Sequence, residues 1–168
     1  MVVRSIMNKL EQAQQTYQTF PDRFQSLILS TVSPEGIPNA SYAPFVRDAD
    51  KNFYIYVSGL STHTQNLHAN PIASILLIED EAQTTQIFAR QRLTLDCTAT
   101  LLDREREDWT QIADRFSDRF GEIVGVLRGL ADFRIFQLTP TGGRFAIGFG
   151  AAYQIDPENL DRLTHIKG

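Results

Sequence analysis

FYIYVSGLSTHTQNLHANP, residues 53–71, joins a strand to a helix through a polar turn, and the rest of the chain is read outward from it. Phe53, Ile55 and Val57 alternate with Tyr54, Tyr56 and Ser58. A two-residue period in β-favouring side chains predicts a strand. Gly59 breaks the pattern, and Thr62-His63-Thr64-Gln65 fits a capping box, in which Thr and Gln side chains satisfy orphan amides. The helix is predicted to run to about Ala69 and to stop at Asn70-Pro71. A helix N-terminus just after a strand offers free N–H groups and a partial positive charge. The hydroxyls of Ser58, Ser61, Thr62 and Thr64 surround it. A phosphate or carboxylate fits such a place; the same hydroxyls serve equally as caps that meet water.

Upstream, Ile6, Leu10, Ala13 and Tyr17 fall at helical spacing and predict an amphipathic helix over residues 5–18, ended by Pro21. Residues 24–33 read as a strand, apolar on both faces at Leu27–Leu29 and therefore central. Residues 37–46 form the next strand, where Pro38 and Pro44 predict an edge or a bend. Downstream, residues 72–78 are a short continuous apolar run that reads as a buried strand. Residues 79–85 loop, and residues 88–102 are the longest strand candidate. In it Leu93, Leu95, Cys97 and Ala99 face one way and Arg90, Arg92, Thr94, Asp96 and Thr98 the other. The charge run 103–108 opens a helix that buries Trp109, Ile112, Ala113, Phe116 and Phe120; Ile123, Val124, Leu127 and Leu130 form a second stripe. Residues 133–138 make a strand, 139–143 a turn, and 144–155 the last strand, followed by a helix or turn carrying His165. The connections are mostly too short for parallel crossovers, so the sheet is expected to be antiparallel.

The chain of 168 residues is expected to be a single domain, 1–168, with a helix at 5–18, a barrel at about 24–155 and a tail at 156–168. A chain of that size buries ~70% of its unfolded surface. A net charge of -4 argues against nucleic acid, which needs a basic face. No apolar run approaches the ~20 residues of a membrane span. The first fifteen residues carry no signal-peptide core, so a cytoplasmic location is expected. One cysteine, Cys97, allows no internal disulfide.

The chemistry-bearing residues are few. Gly148-Phe149-Gly150 is no dinucleotide fingerprint, since Tyr153 stands where the third glycine belongs; the glycines are expected to allow a bulge or a close backbone approach. The three histidines, His63, His68 and His165, have no metal-site spacing. His63 lies in a first helical turn, where its ring can donate to an anion. Arg92 and Arg144 sit in strand patterns among half-buried neighbours, and such arginines usually have a partner: an acidic side chain or a bound carboxylate.

The succession PEGIPNASYAPF, FYIYVSGLSTHTQNLHANPIASILL and ARQRLTLDCTATLLD resembles the pyridoxamine-phosphate-oxidase-like split-barrel superfamily. The S-x-L-S-x-H-T-x-N-L stretch from Ser58 to Leu67, which includes Asn66, resembles its haem-utilisation (HugZ-like) branch, as do the strand from Arg92 and GLADFRIFQL at 129–138. The resemblance implies a mainly β chain with flanking helices: a six-stranded antiparallel split β-barrel, homodimeric, with its ligand in a cleft between subunits. Flavin members seat the FMN phosphate on the helix after the third strand with help from a Lys or Arg. Here that position is His63, a poorer phosphate partner when neutral. In the haem branch a C-terminal histidine ligates the iron, an aspartate holds it and an arginine faces the distal side. Matched by motif, these are His165, Asp132 and Arg92. A carboxylate on the second imidazole nitrogen would fix the tautomer of an iron ligand. The expected function is haem-degrading oxygenase activity fed by an electron donor. The alternatives are an FMN-dependent oxidoreductase and a non-catalytic haem carrier. The expected ligand contacts are Ser58, Ser61, Thr62, His63, Thr64, Asn66, Arg92 and Arg144, with Arg92 and Asp132 catalytic.

Overall fold

The computed structural model describes the backbone of residues 2–166 and the side chains of residues 9–166. Helix α1 is Val2–Thr19; β1 is Ser26–Val32, β2 Pro38–Arg47 and β3 Phe53–Ser58. Helix α2, Thr62–Ala69, leads to β4, Ile72–Ile78, and then β5, Arg92–Leu101. Helices α3, Glu107–Phe120, and α4, Ile123–Arg128, precede β6, Phe133–Ala146, β7, Ala152–Ile155, and β8, Leu163–His165. The sheet order is β3-β2-β1-β4-β5-β6-β7-β8, and an added β3–β6 pairing closes the first six strands into an antiparallel barrel.

Several expectations change. Residues 87–89 turn as a 3-10 helix, so the long strand begins at Arg92 rather than Phe88. Strand β2 pairs with β1 up to Pro44 and with β3 from Phe45, so Pro44 marks the handover between partners. Leu27 and Leu29 are buried but Ile28 is 42% exposed, so β1 alternates although it is central. Of the predicted α4 stripe only Val124 is fully buried, and Ile123 and Leu130 face solvent. Ile6 lies outside the residues whose side chains are described.

The largest change is β6. The expected turn at Thr139-Pro140-Thr141-Gly142-Gly143 runs straight through as strand. A Cβ on Gly143 would sit 2.1 Å from the Thr94 carbonyl oxygen, so glycine is there for a close backbone approach, not for a turn. The chain reverses only at residues 147–151, where Ile147 N–H donates to the Ala151 carbonyl at 3.0 Å. The Gly148–Gly150 stretch is therefore a hairpin turn between β6 and β7, with Gly150 at φ +62°. His165 lies on a strand, β8, instead of a helix or turn.

Two compact units divide the chain. One comprises residues 25–75 and 97–140. Its core packs Val46, Tyr54, Tyr56 and Ile135 against the α3 stripe Trp109, Ile112, Ala113 and Phe116, the face predicted from helical spacing. Arg104 and Arg128 stand 5.0 and 5.8 Å from the Trp109 ring. The other comprises residues 1–24, 76–96 and 141–168. There Tyr17 and Phe20 pack on Phe145 at 5.5 and 5.2 Å. Helix α1 also ties down the C-terminal segment: Tyr17 donates to the Leu160 carbonyl at 2.7 Å, Gln14 donates to the Asp161 carbonyl, and Leu163 N–H donates to Gln14 at 3.2 Å.

Candidate functional site

The β3–α2 junction is built by satisfying backbone groups. Gly59 N–H donates to the Asp132 carbonyl at 2.7 Å, and the Ser58 hydroxyl donates to the Asp132 carboxylate at 2.9 Å. A Cβ on Gly59 would lie 2.7 Å from that carbonyl oxygen, so only glycine fits. Asp132 is thus wired to the predicted junction by both backbone and side chain. The helix is capped by Ser61 rather than Thr62, and no side chain makes a capping bond. The expected Thr–Gln capping box is absent because Thr64 and Gln65 amides both donate to the Ser61 backbone carbonyl, while the Thr64 hydroxyl turns back to the Ser58 carbonyl at 2.6 Å. Thr64 and Asn66 are buried, and Asn66 donates to the Thr31 hydroxyl at 3.0 Å. Their polar atoms are spent on the fold. Ser61 is half-buried and Thr62 exposed. His63 Nδ1 pairs with the Ser41 hydroxyl at 3.0 Å, and its buried Nε2 has no partner among the described residues. Burial pushes its pKa below 6.5, which keeps the ring neutral and unsuited to clamp a phosphate.

The other predicted residues belong to the second unit. Arg92, the exposed first residue of β5, donates to the Arg90 carbonyl at 3.1 Å. Arg144 is exposed on β6, in register with Gln154. Both side chains are exposed, although their neighbours along the strand are half-buried or buried. His165 stands opposite Tyr153 across the β7–β8 ladder, its ring edge-on to the Tyr153 ring at 5.4 Å and 74°. Its Nε2 lies 3.0 Å from the Gly150 carbonyl. A carbonyl only accepts, so Nε2 carries a proton, and the neutral ring in this tautomer has its lone pair on Nδ1. Lys9, Leu10, Ile147, Phe149, Tyr153 and His165 line an open pocket of about 600 Å³. Burial raises the Tyr153 pKa, so its phenol stays protonated.

Sequence reasoning missed Tyr153, Gly150 and Lys9. Two of them become neighbours of His165 through the β7–β8 pairing, and β8 has too few residues to show a period.

Six antiparallel strands closed through β3–β6, with a strand-to-helix junction after β3, define the split-barrel class. Residues 13–146 match the family model described as pyridoxamine 5'-phosphate oxidase, and the chain belongs to that family. It is 41% identical over 148 residues to heme oxygenase HutZ from Vibrio cholerae, across 88% of this chain and 84% of the relative. The crystal structure of HutZ, described as the heme storage protein from Vibrio cholerae, superposes with a TM-score of 0.75 at 39% identity, covering 80% of this chain and 96% of that one. Campylobacter jejuni ChuZ superposes with a TM-score of 0.83 at 34% identity, over 93% of this chain and 63% of its own.

Proposed function

We propose that this protein binds haem and, given oxygen and electrons, opens the porphyrin ring and releases the iron. The observation that carries the reading is His165 at the wall of a largely apolar pocket, its tautomer set by a carbonyl. A volume of about 600 Å³ lies within the usual range for small-molecule sites. One imidazole suits a metal whose other ligands are the macrocycle's own nitrogens. Among the described residues no group of three or more His, Cys, Asp or Glu could hold a bare ion. The likeness to heme oxygenase HutZ points the same way.

In this reading haem supplies the oxygen chemistry, and the chain binds, orients and holds protons. His165 is the iron ligand. Arg92 supplies positive charge for a propionate. Asp132 is the carboxylate that holds the imidazole of a ligating histidine. A neutral imidazole has one proton. A ring that donates Nε2–H to Gly150 would present Nδ1 to iron. The protein works as a two-fold homodimer located in the cytoplasm and draws its electrons from a separate donor. An exposed cross-strand pair, Ile28 and Tyr42, offers a self-complementary apolar patch for dimerisation.

FMN is the second reading, favoured by the family match and by a Ser61 hydroxyl not spent on capping. The neutral His63 weighs against it. Haemin titration decides: a defined Soret band lost in His165→Ala supports haem, whereas FMN at full occupancy with no such band overturns it. Ascorbate and oxygen then bleach the band of an oxygenase and leave that of a carrier intact.

A further inference from the structure

We propose that the Gly148–Gly150 turn is a second wall of the pocket beside His165. In this assignment Phe149 stacks on the face of a flat conjugated macrocycle, and Lys9 pairs with a carboxylate on its edge. The assignment rests on the haem reading above.

Phe149 is 72% exposed, a costly place for a side chain of that size. Lack of order does not explain it. The turn is closed by Ile147 N–H to the Ala151 carbonyl at 3.0 Å and Ala151 N–H to the Gly148 carbonyl at 3.2 Å. A scattered exposed apolar residue needs no explanation. This one shares a pocket with Leu10, itself 37% exposed, and with Ile147, Tyr153 and His165.

The residue after Phe149 holds the imidazole. Gly150 adopts φ +62°, a conformation that favours glycine, and its carbonyl receives Nε2–H of His165. A Cβ on Gly148 or Gly150 would meet nothing within 4 Å, so neither glycine is there for close packing. One three-residue turn thus sets the orientation of the imidazole and presents a ring beside it. A macrocycle whose metal is read by the imidazole has its face within the pocket's reach. Aromatic rings pair with flat conjugated systems in offset or edge-on arrangements. Lys9 is the one ammonium in the lining among the described residues and suits a carboxylate at the pocket mouth.

The test uses the full chain and two probes, haemin and metal-free protoporphyrin. Phe149→Ala is expected to weaken both by about tenfold, the scale of one aromatic stacking contact. Phe149→Trp keeps both affinities and gains an emission that either probe quenches. Lys9→Gln weakens both by roughly threefold and flattens their salt dependence. His165→Ala abolishes the haemin spectrum and leaves metal-free binding in place. Thermal melting of the variants stays at the parental value, since Phe149 and Lys9 are exposed. Parental affinity of Phe149→Ala for metal-free protoporphyrin overturns the assignment while leaving the haem reading intact. A parental protein that gives no His165-dependent haemin band overturns the haem reading itself.

Discussion

In the structure His165 donates from Nε2 to the Gly150 carbonyl, and in the proposed function Asp132 is the carboxylate assigned to a ligating histidine. Asp132→Asn keeps an oxygen for the Ser58 hydroxyl and removes the charge, so it is expected to alter the haemin spectrum with little change in melting temperature. Asp132→Ala also orphans Ser58 and is expected to cost about 1–2 kcal/mol, read by urea unfolding. If both variants keep the parental spectrum, Asp132 does not hold the ligand. His63 carries a different consequence. Its folded pKa lies below 6.5 because burial opposes the charge. The unfolded chain therefore binds the proton first, and stability falls as pH drops below about 6.5. His63→Gln is expected to flatten that part of the stability–pH curve; an unchanged slope would mean that the buried ring is not its source. At this scale the sequence marked the β3–α2 junction but not the partners of its side chains. The Thr62 cap failed because Ser61, one residue earlier, took the position, and a shift of one residue costs a capping motif nothing in pattern.

The elements were legible where a period was long enough to read. The α3 stripe at Trp109, Ile112, Ala113 and Phe116 followed from a 3.6-residue repeat with no other element's help. Strand β6 was misread because Pro140 and two glycines have the composition of a turn. The Thr94 backbone passing beside Gly143 is a fact about a neighbouring strand, absent from the local sequence. Gly143→Ala is expected to destabilise by about 2 kcal/mol, roughly 4–8 °C in melting temperature, because the new methyl meets a carbonyl that cannot move freely. Melting within a degree of the parent would show that the strands part easily. Trp109→Ala should cost about 3–5 kcal/mol, since it empties the contact between α3 and Tyr56. Chemical denaturation measures it, and a loss under 1 kcal/mol would remove Trp109 from the core.

For the whole molecule, the proposed homodimer makes a direct prediction. Sedimentation velocity should give twice the 19.0 kDa chain mass. Ile28→Glu combined with Tyr42→Glu should shift the protein toward monomer, because each places charge on an exposed apolar pair. A dimer unaffected by both changes uses another face. A parental monomer removes the proposed homodimer.

The sequence by itself determined most of the strands and helices, the antiparallel connectivity and the family, because side-chain period, turn residues and a spaced motif are all local; the unbroken run of β6 and the short strand β8 lay outside it. Only the tertiary structure decided that β3 meets β6, that Gly143 serves a neighbouring backbone, and that His165 rests on Tyr153 and Gly150. Each of these joins residues far apart in the chain or set in elements too short for a pattern. Their partners are selected by backbone hydrogen bonding and packing, which leave no mark on the residues next door.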